Sequence, residues 1–162
     1  MKLEIKDKQN KTYVILGAPH SGTSFLAKAL RDAGVDIGTD LYKYQDRDIV
    51  KLNYTILKKA GGGPYNPPSE RSILATNYNH HIKNAIKRRQ KKFWGWKEPT
   101  TSLTIKKYLP HLEEDVYLIC IFRKPESLVK SYEGREGGRI TKKLIDRYNK
   151  SILSALKKFC GL

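Results

Sequence analysis

One stretch constrains the fold of this chain more than any other: Val14-Ile-Leu-Gly-Ala-Pro-His-Ser-Gly-Thr-Ser-Phe-Leu26. Thr12 to Leu16 is β-branched or apolar apart from Tyr13 and stops at Gly17, so it reads as a buried strand. Phe25, Leu26, Ala29, Leu30 and Ala33 then recur at helical spacing until Gly34 ends the helix. Between them, Gly17-Ala-Pro-His-Ser-Gly22-Thr-Ser24 sets two glycines five positions apart, with Ser24 in the hydroxyl place. Strand, loop and helix start in this order are the context that a phosphate-cradling P-loop requires. Backbone N–H groups at the helix N-terminus converge on an anion and the helix dipole assists them. Thr23 and Ser24 add hydroxyl donors. A nucleotide-hydrolysing loop would carry Lys where Thr23 stands, to reach the terminal phosphates. The best later strand ends in Arg123 and not in a metal-binding Asp, so Mg²⁺-dependent γ-phosphate transfer is disfavoured and no metal is expected.

The rest of the chain alternates the same two kinds of element. Helices are expected over Asp46–Ala60, Asn79–Lys92, Thr101–Leu109, Pro125–Tyr132 and Arg139–Phe159, with a short strand at Phe93–Trp96. Val116-Tyr-Leu-Ile-Cys-Ile-Phe122 has seven apolar residues without alternation and predicts a strand buried on both faces. Gly61-Gly-Gly-Pro-Tyr-Asn-Pro-Pro68 predicts a long loop of the kind that often serves a site, and Glu133–Gly138 a flexible break. Together these imply an α/β fold, a three-layer α/β/α sandwich on a largely parallel sheet, with residues 1–162 as a single domain.

Charge is the unusual feature of the composition. Thirty-two Lys and Arg against sixteen Asp and Glu give a formal +16, which calls for polyanionic partners or a highly anionic ligand. Asn79–Lys92 concentrates Lys83, Lys87, Arg88, Arg89, Lys91 and Lys92, but no nucleic-acid motif accompanies them and no aromatics interleave with them. Nucleic acid is therefore the less favoured partner. No window reaches the ~18 apolar residues of a membrane span, and Met1–Lys8 is charged throughout, so a cytoplasmic protein without a membrane partner is expected. Cys120 and Cys160 read as buried small apolar residues, without a disulfide.

A second anion site is visible at Arg123-Lys-Pro-Glu-Ser-Leu-Val-Lys-Ser131-Tyr132. It places an arginine at a strand's end and a serine two turns into the following helix. In an open parallel sheet ligands sit beyond the carboxyl ends of the strands, so Arg123 and the first loop would share one edge. A guanidinium with a hydroxyl is a suitable clamp for a phosphate monoester.

The two motifs in order resemble the sulfotransferase family that uses 3′-phosphoadenosine 5′-phosphosulfate (PAPS) and shares the P-loop nucleotide-binding fold. Residues 17–26 look like that family's 5′-phosphosulfate loop, and Arg123-Lys-Pro with Ser131-Tyr132 like its 3′-phosphate motif. Between them, Ala33–Gly38, Asp46–Asn53 and Trp96–Pro99 are similar to stretches of bacterial and viral members. The resemblance implies a transferase that moves a sulfuryl group from PAPS to a hydroxyl or amine on a small-molecule or glycan acceptor. Its product would be adenosine 3′,5′-bisphosphate. It assigns Pro19, His20, Ser21, Gly22, Thr23 and Ser24 to the phosphosulfate, and Arg123 and Ser131 to the 3′-phosphate. His20, Lys97 and Asp46 are the candidate catalytic residues, with Asp48 and Glu98 as further candidates for the general base. His20 stands where the family usually has Lys or Arg. Many members continue beyond the segment corresponding to Arg139–Phe159, so a C-terminally minimal domain is expected. A catalytically weak relative that holds nucleotide or another polyanion on its basic surface is the alternative.

Overall fold

The computed structural model describes residues 10–38, 44–112, 115–132 and 139–161, and structural statements below refer to these. Both the charged start and the expected break at 133–138 lie outside them. The order is β1 (Lys11–Gly17), α1 (Thr23–Asp32), α2 (Arg47–Lys59), α3 (Glu70–Ala75), α4 (Asn79–Arg89), β2 (Phe93–Lys97), α5 (Thr101–Tyr108), a 3₁₀ turn (Leu109–His111), β3 (Val116–Ile121), α6 (Pro125–Tyr132) and α7 (Lys142–Cys160). This is a mixed α/β structure with seven α-helices on an open, all-parallel, three-stranded sheet in the order β2-β1-β3. Ile15 pairs with Lys97 on one side and Ile119 on the other, so β1 is the central strand.

Alternation along β1 divides the apolar core. Val14 and Leu16 point into the main cluster with Ile49, Ile56, Trp94, Trp96, Tyr108 and Tyr148, whereas Ile15 faces a smaller one with Ala27, Val35 and Ile37. Helices therefore cover both faces of β1, heavily on one and with α1 on the other. Asp36 adds a single parallel bridge to β2, accepting from Gly95 N at 2.9 Å and donating to Phe93 O at 3.1 Å. Two arginine- and lysine-rich contacts hold that corner: Arg89 to Asp36 at 2.8 Å, and Lys91 to the same carboxylate. Burial tends to raise the Asp36 pKa, but hydrogen bonds from Lys91 and Arg89 outweigh it and hold the carboxyl below its usual value.

Four details depart from the sequence reading. The strand expected to be buried on both faces, β3, is half-exposed along its length, with Tyr117 44% accessible. Among the described residues only β1 pairs with it, so one edge is uncovered and its apolar run cannot reach full burial. In α1 the buried positions are Thr23 and Ala27, and Phe25 is 80% exposed. The narrow sheet beneath α1 accepts one row of side chains, and Val35 and Ile37 fill the space beside it. Cys120 is only half-buried and Cys160 is exposed; both are free thiols. Helix α3, short and capped by Ser69 through Ser72 N at 3.0 Å, was not visible as a periodic pattern because six residues make too few turns. No helix among the described residues is long and apolar enough to cross a membrane.

The sheet is tightest at Gly95, where a Cβ would lie 2.0 Å from the carbonyl oxygen of Tyr13. Neither strand can move without breaking the β1–β2 ladder. Gly95→Ala is expected to cost about 1–3 kcal/mol, measured as a shift in the urea midpoint; an unchanged midpoint would show that the ladder yields.

Candidate functional site

The Gly17–Ser24 loop leaves the C-terminal end of the central strand and enters α1. Gly17 is held there by Ser102 of α5, whose Oγ accepts from Gly17 N at 3.0 Å and donates to Gly17 O at 3.2 Å. No side chain fits at position 17: a Cβ would meet Ser21 Oγ at 2.5 Å and Thr23 Cγ2 at 2.7 Å. A turn closed by Ser21 N to Ala18 O (3.1 Å) lifts the chain over, with His20 at φ 60° and Gly22 at φ 107°. Glycine adopts this left-handed region without penalty; histidine does so at a modest cost. Gly22 then occupies the N-cap of α1 without a side-chain cap, and the first turn carries no acidic residue. The first amides of α1 therefore point out of the helix toward the space in front of it. Beside them the Ser21 hydroxyl is buried without a hydrogen-bond partner.

That space is a cavity of ≈ 620 Å³, lined by Pro19, His20, Gly22, Thr23, Ser24, Gln45, Tyr54, Pro64, Tyr65, Lys97, Glu98, Pro99, Thr100 and Tyr148. Lys97 ends β2 only 3% exposed, and its Nζ donates to Ser24 Oγ at 3.1 Å. The cation missing from the Thr23 position is thus supplied from the neighbouring strand. Register explains this, since Lys97 pairs with Ile15, two residues before the loop.

Glu98 follows it, 2% exposed, as part of a polar network beneath the cavity. Its Oε2 accepts from Asn53 Nδ2 (2.8 Å), Thr101 N (3.1 Å) and the Thr100 hydroxyl. Asn53 also donates to Thr101 Oγ1 at 2.9 Å and accepts from Thr104 Oγ1 and Tyr108 OH, each at 2.8 Å. Burial pushes the Glu98 carboxyl above its ordinary pKa, only partly offset by the hydrogen bonds from Thr100 and Asn53.

The other expected site residues separate. His20, Pro19 and residues 22–24 line the cavity, as does Lys97. Asp46 does not. Its carboxylate caps α2, accepting from Asp48 N (3.0 Å) and Ile49 N (3.1 Å), and pairs with Arg89 at 2.6 Å while 1% exposed. It serves the fold. Asp48 lies on the surface, paired with Arg88 at 3.3 Å. Arg123 is exposed at the loop's shoulder, with a long 3.5 Å contact to His20 O, and is not in the cavity lining. Ser131 donates to Leu128 O of its own helix at 2.8 Å, the local bond a helical serine commonly makes.

Gln45, Tyr54 and Tyr148 were not legible as site residues, while Tyr65 lies in the Gly61–Pro68 loop expected to serve a site. Tyr148 read as core from its place on the α7 stripe, and its ring is buried, yet its hydroxyl donates to Pro64 O at 3.0 Å. Arg147 donates to Pro68 O at 2.8 Å, so α7 pins the Gly61–Pro68 loop at the cavity wall. The glycines and prolines signalled that loop; nothing in the sequence signalled its anchor. Compared with known protein families, curated proteins and solved structures, the chain matches none.

The protonated form of Glu98 stabilises the fold. With its folded pKa raised, that contribution is fully present below the ordinary glutamate value and is lost as pH rises through the raised value. Glu98→Gln, which keeps the accepting oxygen, should melt like wild type near about pH 4 and increasingly above it toward about pH 8. Thermal melts across this range check it; a wild type that gains on the variant with rising pH would reverse the assignment.

Proposed function

We propose that the cavity binds a sulfonate donor of the PAPS type and that the protein passes its sulfuryl group to a hydroxyl or amine. The observation that carries this reading is the meeting of buried Lys97 with Ser24 at an uncapped helix N-terminus. The residues present fit such a donor: outward amides of the first turn in the cavity, and Arg123 on the adjoining shoulder for a second phosphate. The reading extends to the fold, as a small three-layer sandwich of the P-loop sulfotransferase type.

PAPS, when bound, supplies the sulfuryl group and a phosphate leaving group. Glu98 is the carboxylate in the cavity lining and is the base in this reading. It takes the proton of the acceptor O–H or N–H as that atom bonds to sulfur. Lys97, Ser24 and the first-turn amides hold the negative charge that the breaking S–O bond leaves on the 5′-phosphate oxygen. His20 adds a further hydrogen-bond donor at the cavity wall. Ser131 would have to release Leu128 O before it could reach a 3′-phosphate.

The alternative, a polyanion binder on the basic surface, loses part of its motive on α4. Arg88 and Arg89, and Lys91 just beyond the helix, are engaged with Asp48, Asp36 and Asp46. Those cations hold the structure together.

Titration calorimetry with adenosine 3′,5′-bisphosphate should give saturable one-site binding. Arg123→Ala should weaken it roughly 10- to 100-fold, the worth of one charge-assisted hydrogen bond, and Lys97→Ala should lower sulfuryl transfer by about 10²–10³. No binding by the wild type, or turnover of ATP with Mg²⁺ in its place, would overturn the reading. Binding indifferent to Arg123→Ala would remove the 3′-phosphate assignment alone.

A further inference from the structure

A second depression adjoins the first. It has a volume of ≈ 930 Å³ and runs along α2 between Lys51, Lys58 and Lys59 on one side and Gly62–Pro64 on the other. Tyr54 and Pro64 line both cavities, so the groove adjoins the space in front of Lys97 and Glu98. Residues 51, 54, 55 and 58 fall on one face of α2 by helical spacing. Position 59 lies beside them. No aspartate or glutamate lines the groove.

The cations described in the structure divide into paired and unpaired, and these lysines belong to the second kind, as do the exposed Lys83 and Lys87. Lys28, Arg88, Arg89, Lys91, Lys106 and Lys142 each hold a carboxylate. Among the described residues Lys51, Lys58 and Lys59 hold none. The last-turn pair, Lys58 and Lys59, complements the α2 dipole. Lys51 stands about two turns upstream, roughly 10 Å along the axis, where the dipole asks for no cation. The opposite wall is bare backbone at Gly63, where an added Cβ would meet nothing within 4 Å. Tyr54, 47% exposed, offers a ring face at the junction.

We infer that this groove is the acceptor site and that the acceptor is itself an anion. It carries carboxylate, phosphate or sulfate groups that seat on Lys51, Lys58 and Lys59 while its hydroxyl or amine reaches past Tyr54 toward Glu98. The inference rests on the donor reading above for the word acceptor; the anion groove itself does not. Three unpaired cations fixed on one helix select charge, the glycine wall admits a bulky ligand, and Tyr54 stacks on its carbon framework. Neutral or cationic acceptors lack the groups to seat there.

The test uses labelled carboxymethyl-dextran oligomers, with neutral dextran of equal length for comparison, read by fluorescence anisotropy near physiological salt. The groove variant is Lys51→Ala/Lys58→Ala/Lys59→Ala. A control of equal charge loss is Lys83→Ala/Lys87→Ala/Lys92→Ala, on exposed positions of and beside α4. Carboxymethyl-dextran should bind the groove variant roughly tenfold more weakly, about what three exposed ion pairs supply together. The control should stay within about twofold, since screened charges at a distance contribute little. Bisphosphate affinity should be unchanged in both variants, which also reports that they are folded. Equal losses in the two variants, or equal binding of charged and neutral dextran, would overturn the groove assignment alone. A single-stranded oligonucleotide that binds tighter than the dextran and loses the same factor in the groove variant would assign the groove to nucleic acid and overturn the acceptor role. Wild type that fails to bind the bisphosphate while keeping the dextran contrast would instead overturn the donor reading.

Discussion

The amide of Asn53 is the constraint on which the candidate site depends. All four of its hydrogen-bonding positions are taken, by Glu98, Thr101, Thr104 and Tyr108, in a place with no access to water. A buried network of this kind holds its members only in one arrangement, because each lost partner leaves a desolvated polar group behind. Asn53 belongs to α2, Glu98 to the end of β2, and the rest to α5. Their agreement fixes the chain immediately after β2, and therefore fixes Lys97 next to Ser24. Trp96 adds to it, donating from its indole to Thr101 at 3.1 Å. Between the Asn53 network and the two bonds from Ser102 to Gly17, α5 sets both walls of the cavity.

The distribution of charge follows the same logic. A formal +16 sounds like one diffuse basic surface, yet the structure sorts it into kinds. Some cations are structural. Arg89 bridges Asp36 and Asp46 where the chain leaves α4, and Lys107 is nearly buried, donating to the carbonyls of Leu74 (3.3 Å) and Thr76 (2.7 Å) at the end of α3. Burial lowers the Lys107 pKa, the expected sign for an ammonium removed from water. Lys97 faces the cavity. Lys51, Lys58 and Lys59 face a groove with no counter-charge in it. The last two sets, with Arg123 at the loop's shoulder, are the cations that the proposed donor and acceptor sites use.

The loop, the parallel strands and the main helices are legible in the chain, since each has a local cause. Gly17 and Gly22 mark the turn, Asp46 marks the start of α2, and the α7 stripe marks a buried face. What depends on neighbours is not legible there. The apolar run of β3 looked doubly buried, but an edge position leaves it half-covered. Phe25 looked like part of the α1 core face, but the narrow sheet rotates that face toward Thr23 and Ala27. Asp46 looked available for chemistry by its place among motif residues, whereas an N-cap and Arg89 consume it. Ser131 sits at the expected spacing, and its hydroxyl is spent on its own helix.

By itself, then, the sequence determined that a strand must deliver an uncapped, glycine-shaped turn to a helix start. That outcome needs only φ values that glycine tolerates and amides that no neighbour can satisfy. The tertiary structure decided which charges meet that turn. Lys97 and Ser24 are 73 positions apart, and the strand end that marks this lysine as a candidate says nothing of the hydroxyl it meets. Parallel pairing of β2 on β1, and the Asn53 network that locks the end of β2, bring it there. Long-range register is a property of the packed sheet and not of any stretch of chain, so the cradle and the candidate lysine were readable and their meeting was not.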